Sequence, residues 1–258
     1  MENDQFDLKD HHKWVLKALK LVDSLFAENG IRYYLIEGSA LGAIRHHGII
    51  PWDDDVDIGI YLQDMERVST LLRDSLPDDY SWIDRKTDEN YPRFFGKILH
   101  QGRGCIDVFP LIKTSDKGVE RKIQWIIRKV CFKLYKAKVH YVGPIDRKNL
   151  AGRLKLLLSS VLSKLFSKEC IVRMARKNEK RFENNIGNKY YINLYGAYSN
   201  EKELIQSAWI SGGKKVPFGD GEYPVFKNTH EYLTHLYGDY MTPPPIDKRT
   251  PSHEEFFN

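Results

Sequence analysis

Asp55 and Asp57 stand two residues apart at the head of a segment, V-D-I-G-I-Y, in which Val56, Ile58 and Ile60 take the alternate positions. In an extended strand, side chains two apart share a face and lie about 6–7 Å from each other. Both carboxylates therefore point one way and the aliphatic residues the other. Asp107 is a third acid, set in C-I-D-V-F with apolar neighbours on both sides, where an ionised carboxylate is costly unless a cation compensates it. Clustered acids raise one another's pKa, whereas a hard divalent cation such as magnesium selects oxygen ligands and keeps them ionised. The pattern points to a metal held by Asp55, Asp57 and Asp107. A solvated acidic loop or an N-cap cluster is the competing reading of a D-D-D run. Asp53 and Asp54 fall outside the alternation and suit the turn after Pro51, or hydrogen bonds behind the ligands. A calcium loop of the EF-hand type is excluded by the spacing and by the lack of its terminal Glu.

The elements that must position these acids follow from periodicity. Leu16, Leu19, Val22 and Phe26 predict a helix over 7–29, stopped at Gly30. I-R-Y-Y-L-I then reads as a strand, and E-G-S-A-L-G-A-I-R-H-H-G as a tight turn into a short helix. Gly38 and Ser39 lie at that turn, where glycine permits close backbone approach and a helix N-terminus offers N–H groups to a phosphate, although ordinary capping accounts for such a pair as well. V-D-I-G-I-Y is a strand, and Q-D-M-E-R-V-S-T-L-L-R-D-S-L a helix ending at Pro77. Strands are expected at 93–99 and 105–111, joined by the hairpin-length H-Q-G-R-G. From 118 to 186 the pattern becomes long basic helices, with Ile123, Ile126, Ile127, Val130 and Leu134 on one face, Leu154, Leu157, Val161 and Leu165 on another, and Pro144 dividing them. A strand at 190–194, a hairpin in K-K-V-P-F-G-D-G-E-Y-P-V-F, and a helix over 228–237 complete the reading. Three regions are expected: a catalytic core over 1–112, a basic helical insert over 113–186, and a C-terminal part over 187–258 that completes the catalytic domain.

Composition limits the function classes. A chain of 258 residues with 41% hydrophobic content can bury a substantial core. Its three cysteines, Cys105, Cys131 and Cys170, have no C-x-x-C pairing, which argues against a disulfide framework and a thiolate metal site. The polar N-terminus and the lack of a long apolar run predict a cytoplasmic protein that neither crosses a membrane nor is secreted. The net charge of +5 conceals a segregation: residues 113–181 carry 20 Lys and Arg against 5 Asp and Glu, and the remainder 20 against 30. The basic region predicts peripheral attachment to an anionic membrane surface or to a polyanionic acceptor, with L-A-G-R-L-K-L-L-L-S-S-V-L-S-K-L-F as the interfacial helix. Nucleic acid is not expected as a partner, because no stacking platform or DNA- or RNA-binding signature accompanies the charge.

The stretch I-E-G-S-A-L-G-A-I-R-H-H-G-I-I-P-W-D-D-D-V-D-I-G-I, residues 36–60, resembles the LicD family of phosphotransferases, which includes the fukutin-related proteins. Y-G-D-Y-M-T-P-P-P-I-D-K-R-T-P-S-H, residues 237–253, is similar to the family's C-terminal ending. The resemblance implies an α/β (α+β) fold of the nucleotidyltransferase type, a mixed sheet with flanking helices, into which Gly38, Ser39, Asp55, Asp57 and Asp107 fit. It implies transfer of a phospho-alcohol, phosphocholine foremost, from a CDP-activated donor to a hydroxyl of a cell-surface glycan or lipid-linked precursor, with release of CMP. Magnesium, or alternatively manganese, is the implied cofactor. Arg45 and Lys97 are candidate phosphate ligands, and Trp52 a candidate for stacking on the base or facing a quaternary ammonium. Asp239, Arg249 and His253 lie in the Pro-rich ending and are candidates to close over substrate, whereas His46 and His47 are not expected to be the base. The competing functions are a nucleotidyltransferase releasing pyrophosphate, a metal-dependent glycosyltransferase, and a catalytically silent binding scaffold.

Overall fold

The computed structural model describes residues 7–141 and 159–249. In chain order its elements are α1 (Leu8–Glu28), β1 (Tyr33–Leu35), α2 (Glu37–Arg45), β2 (Val56–Tyr61), α3 (Met65–Ser75), β3 (Tyr80–Ile83), β4 (Gly96–His100), β5 (Arg103–Thr114), α4 (Gly118–Lys138), α5 (Lys168–Glu179), β6 (Tyr190–Ile192), β7 (Leu204–Gln206), α6 (Ser207–Ile210), β8 (Lys214–Phe218), β9 (Gly221–Val225) and α7 (Thr229–Tyr237). The described residues form two compact units, one made of residues 7–83, 95–111 and 205–249 and the other of 84–94, 112–141 and 159–204.

The first unit is built on a mixed sheet of order β1-β2-β5-β4-β3. Strand β2 runs parallel to β5, and β4 antiparallel to β5. Helix α1 starts where Asp7 accepts a bond from the Lys9 N–H at 2.8 Å, and it buries Val15, Ala18, Leu19, Val22 and Phe26 at helical spacing. These residues pack with Val56, Ile58 and Ile60 of β2 and with Ile106 and Val108 of β5 in one core. Each large side chain so buried contributes roughly 1.5–3 kcal/mol. The apolar alternation seen in the sequence is therefore the core face of the sheet, and the acids occupy the other. Strand β3 pairs with β4 and was not expected: Y-S-W-I is too short between its flanking polar turns to announce itself, yet Trp82 lies flat over Gly96, where a methyl would approach within 1.9 Å of the indole.

Strands β4 and β5 are joined by a two-residue turn in which Gln101 and Gly102 both take positive φ, 49° and 82°, as the twist of a tight hairpin demands. His100 faces Arg103 and Leu99 faces Gly104, but Ile98 faces Ile106, so Cys105 is an extra residue forming a bulge. Beyond the bulge Lys97 faces Asp107.

In the second unit the end of β5 pairs with β6, and α4 packs with α5. Its core contains Phe94, Cys131, Leu134, Tyr135, Ile171 and Ala175. Of the apolar face expected on α4, Leu134 is buried and Ile127 packs against the core, but Ile123, Ile126 and Val130 are exposed. The inward face is instead built around Gln124, Cys131, Leu134 and Tyr135. Leu154, Leu157 and Pro144 lie outside the described residues, as does most of the expected interfacial helix; Val161 and Leu165 at its end are exposed. The three cysteines are free. No described helix is long and apolar enough to cross a membrane.

Candidate active site

Strand pairing alone brings three charges into one row. Asp57 of β2 is directly opposite Asp107 of β5, which is directly opposite Lys97 of β4, and residues facing each other across a ladder share a face of the sheet. Asp55, two residues ahead of Asp57, joins them: one carboxylate oxygen each from Asp55, Asp57 and Asp107 lies within 4.8 Å of the others. Lys97 Nζ is 2.7 Å from Asp107 Oδ1 and 3.8 Å from Asp55 Oδ2. Its stem passes over Gly104, where a methyl would sit 2.9 Å from the ammonium nitrogen. Asp55 and Asp107 are buried and Asp57 half-buried. Burial, followed by the charges of Asp55, Glu37, Asp107 and Asp53, holds the Asp57 carboxyl well above the usual carboxylate range. One lysine among these acids leaves a strong negative excess.

The turn into α2 closes the site from above the carboxylates. Ser39 Oγ accepts the backbone N–H of Asp57 at 2.7 Å, and Ile36 N–H donates to the Asp57 carbonyl at 3.1 Å. A methyl at Gly38 would lie 3.0 Å from Asp53 Oδ2 and 3.8 Å from Asp57 Oδ2, so only glycine lets the helix start come this close. The sequence reading passed over Glu37, which is buried and adopts φ 45° at the first position of α2. Its N–H donates to Tyr232 Oη at 3.0 Å, which ties α7 to the turn.

Behind the acids, the backbone of the D-D-D run is clamped to α1. His11 Nε2–H donates to the Asp54 carbonyl at 2.7 Å and His12 Nε2–H to the Asp53 carbonyl at 2.6 Å. Asp53 and Asp54 thus shape the turn through their main chains, the role their position suggested. Burial pushes His11 below its ordinary 6.5. A depressed histidine binds fewer protons folded than unfolded, so its contribution to stability is present above about pH 6.5 and lost as pH falls through the lowered value. His11→Gln keeps a donor but does not titrate, and thermal melts across this range should show a shallower loss of stability on acidification than in the wild type.

Three of the other candidates meet at a second cluster. Arg45 Nη1 donates to the Tyr240 carbonyl at 2.8 Å, which anchors the C-terminal motif to α2, and Arg45 Nε donates to His46 Nε2 at 2.9 Å. His46 is edge-on to Trp52 with ring centres 5.8 Å apart, and the Arg249 guanidinium lies over the Trp52 ring at 5.0 Å. Burial, then Arg45 and Arg249, push the His46 pKa down, in keeping with a neutral ring that accepts from Arg45. Asp239 is exposed and takes a local bond from Thr242, and His47 is exposed. His253 lies outside the described residues.

A mixed sheet, paired acids on one strand and a third on its parallel neighbour, approached by a Gly-Ser helix start, make up the geometry of the site. Residues 30–155 match the family model described as LicD/FKTN/FKRP, nucleotidyltransferase domain. It is 26% identical over 268 residues to the lipopolysaccharide cholinephosphotransferase LicD of Haemophilus influenzae, spanning 95% of this chain and 96% of that protein. A 101-residue stretch, 38% of this chain, is 67% identical to the human ribitol 5-phosphate transferase FKRP but spans only 20% of it. A 107-residue stretch, 42% of this chain, is 44% identical to an uncharacterised protein of Rickettsia prowazekii and spans 36% of it.

Proposed function

We propose that this protein transfers a phospho-alcohol from a CDP-activated donor to a hydroxyl of a glycan or lipid-linked glycan precursor and releases CMP. The observation that carries this reading is the row Asp57–Asp107–Lys97, completed by Asp55. A second support is the similarity over nearly the whole chain to a cholinephosphotransferase.

The carboxylates fit a divalent ion, magnesium or manganese. They are hard oxygen donors with a surplus of negative charge, and small side-chain rotations from separations within 4.8 Å suffice for an ion with bonds of about 2.1 Å. When bound, such an ion would neutralise charge developing on the transferred phosphate. Asp55, Asp57 and Asp107 would hold it. In the reaction the acceptor oxygen forms a bond to phosphorus as the bond from phosphorus to the CMP oxygen breaks. The hydroxyl proton passes to a carboxylate of this cluster, and CMP leaves as the anion. Lys97 and the Gly38–Ser39 helix start flank the reacting phosphates, and the Arg45–Trp52–Arg249 cluster supplies charge and a π-face for the rest of the donor.

The test is incubation with a panel of CDP-alcohols (choline, ethanolamine, glycerol and ribitol) and candidate glycans, with CMP release followed. Pyrophosphate release from a nucleoside triphosphate, with no CMP from any CDP-alcohol, would replace this reading with the nucleotidyltransferase one. Absence of any metal-dependent turnover would favour a binding scaffold. Within the proposed function, Gly38→Ala is expected to lower turnover about tenfold to a hundredfold, because the methyl pushes the helix start off the acids. Its stability should change by less than about 1 kcal/mol, as thermal melts would show.

A further inference from the structure

Helix α4 shows two unlike faces. Gln124, Cys131, Leu134 and Tyr135 are buried in the second unit. Val119, Ile123, Ile126 and Val130 are 73%, 40%, 47% and 47% exposed, and their spacings of four, three and four lay them along a single stripe. Lys122, Lys129 and Lys133 are exposed beside it. Trp125 lies further round the helix, beyond these lysines, with Lys129 Nζ 3.4 Å from its ring centre. Glu120, the only acid of the helix, is turned to Ser115 Oγ and Lys117 Nζ, leaving the stripe without a carboxylate of its own.

We propose that this face docks on an anionic lipid surface, with the aliphatic stripe at the boundary of headgroups and acyl chains and the lysines on the headgroups. Charge selects this occupant. An apolar stripe bordered by one sign of charge is the composition of an interfacial helix. A second copy of the chain, packed two-fold on the same stripe, would set Lys122, Lys129 and Lys133 against their own equivalents. A polyanion without an apolar phase would leave the stripe in water. The surface lies on α4, ahead of the segment ending at Phe166 that the sequence pattern suggests, and it goes beyond the transferase reading without depending on it.

The experiment is co-sedimentation of the full chain with vesicles of phosphatidylcholine alone and of phosphatidylcholine mixed with phosphatidylglycerol, at low and high salt. Binding is expected only to the mixed vesicles and only at low salt. Ile123→Ser/Ile126→Ser and Lys122→Gln/Lys129→Gln/Lys133→Gln should each weaken it about tenfold or more, with circular dichroism and melting temperature unchanged. Wild-type protein that ignores the mixed vesicles, or variants that bind them as well as wild type, would overturn the proposal. So would light scattering that shows the stripe variants splitting a dimer while sedimentation stays the same. The salt dependence of wild-type binding supplies a reading that no folding defect in the stripe variants can mimic.

Discussion

Asp57→Asn should reduce phospho-alcohol transfer by about three orders of magnitude and, at the same time, raise the melting temperature of the metal-free protein. The loss follows from removing one of three acids whose oxygens lie within 4.8 Å of each other, since ligands that neutralise a transferring phosphate act only while it reacts. The gain follows from the same geometry. Asp57 sits among Asp55, Glu37, Asp107 and Asp53, whose charges oppose its ionisation after burial has already done so. An amide of the same shape ends that repulsion, and each 1 kcal/mol recovered is worth roughly 2–4 °C in a chain of this size. Calorimetry with and without magnesium would show the wild type stabilised by the ion and the variant indifferent to it. Turnover within about threefold of wild type, or a lower melting temperature in a folded variant, would rule the metal assignment out.

The second large effect is at Lys97, where two outcomes of opposite sign are expected. Lys97→Met keeps the stem that lies over Gly104 but removes the ammonium 2.7 Å from Asp107 and 3.8 Å from Asp55. At an effective dielectric near 20, charges this close interact by several kcal/mol before screening. Taking one partner out leaves the acids uncompensated, and the metal-free protein should lose about 2–3 kcal/mol in denaturant titrations. An incoming divalent ion no longer meets that positive charge, so its affinity, read by calorimetry, should rise about tenfold, or roughly 1.4 kcal/mol. Turnover should nevertheless fall at least about tenfold if the ammonium also serves the donor phosphates. Weaker metal binding would mean that Lys97 organises the acids rather than opposing the ion.

How much of this was legible in the sequence depended on range. Helix α1, strand β2 and the shared face of Asp55 and Asp57 follow from local periodicity, and a strand rule applied to four residues was enough to separate Asp57 from Asp53. Asp107 could be recognised as misplaced among apolar residues, but not as the partner of Asp57, because a parallel pairing across about fifty residues leaves no local trace. Glu37 was hidden by its neighbours: Gly38 and Ser39 carry the recognisable turn chemistry, and a buried acid with positive φ has no periodic signature. The stripe on α4 misled in the opposite way. Its spacing is that of a packed face, and hydrophobic periodicity records which residues share a face without recording what that face meets. Arg249 was identified from composition around a Pro-rich ending, and only the fold put it on Trp52.

The bulge at Cys105 has a bearing on how this site can vary among descendants of one ancestor. Without the extra residue, the hairpin would run regularly from His100 and Arg103 through Ile98 and Ile106 and would still set Lys97 opposite Asp107. The charge row therefore does not depend on the bulge, which absorbs one residue that the pairing of Lys97 with Asp107 does not require. One residue of β5 ahead of Asp107 can be lost with the row intact, whereas a second loss, at a fixed turn, would set Lys97 opposite Val108 and move Asp107 to the other face. A lineage that lost Cys105 would keep its charge row on a regular hairpin, and the place to look for that history is the number of residues between the lysine and the aspartate.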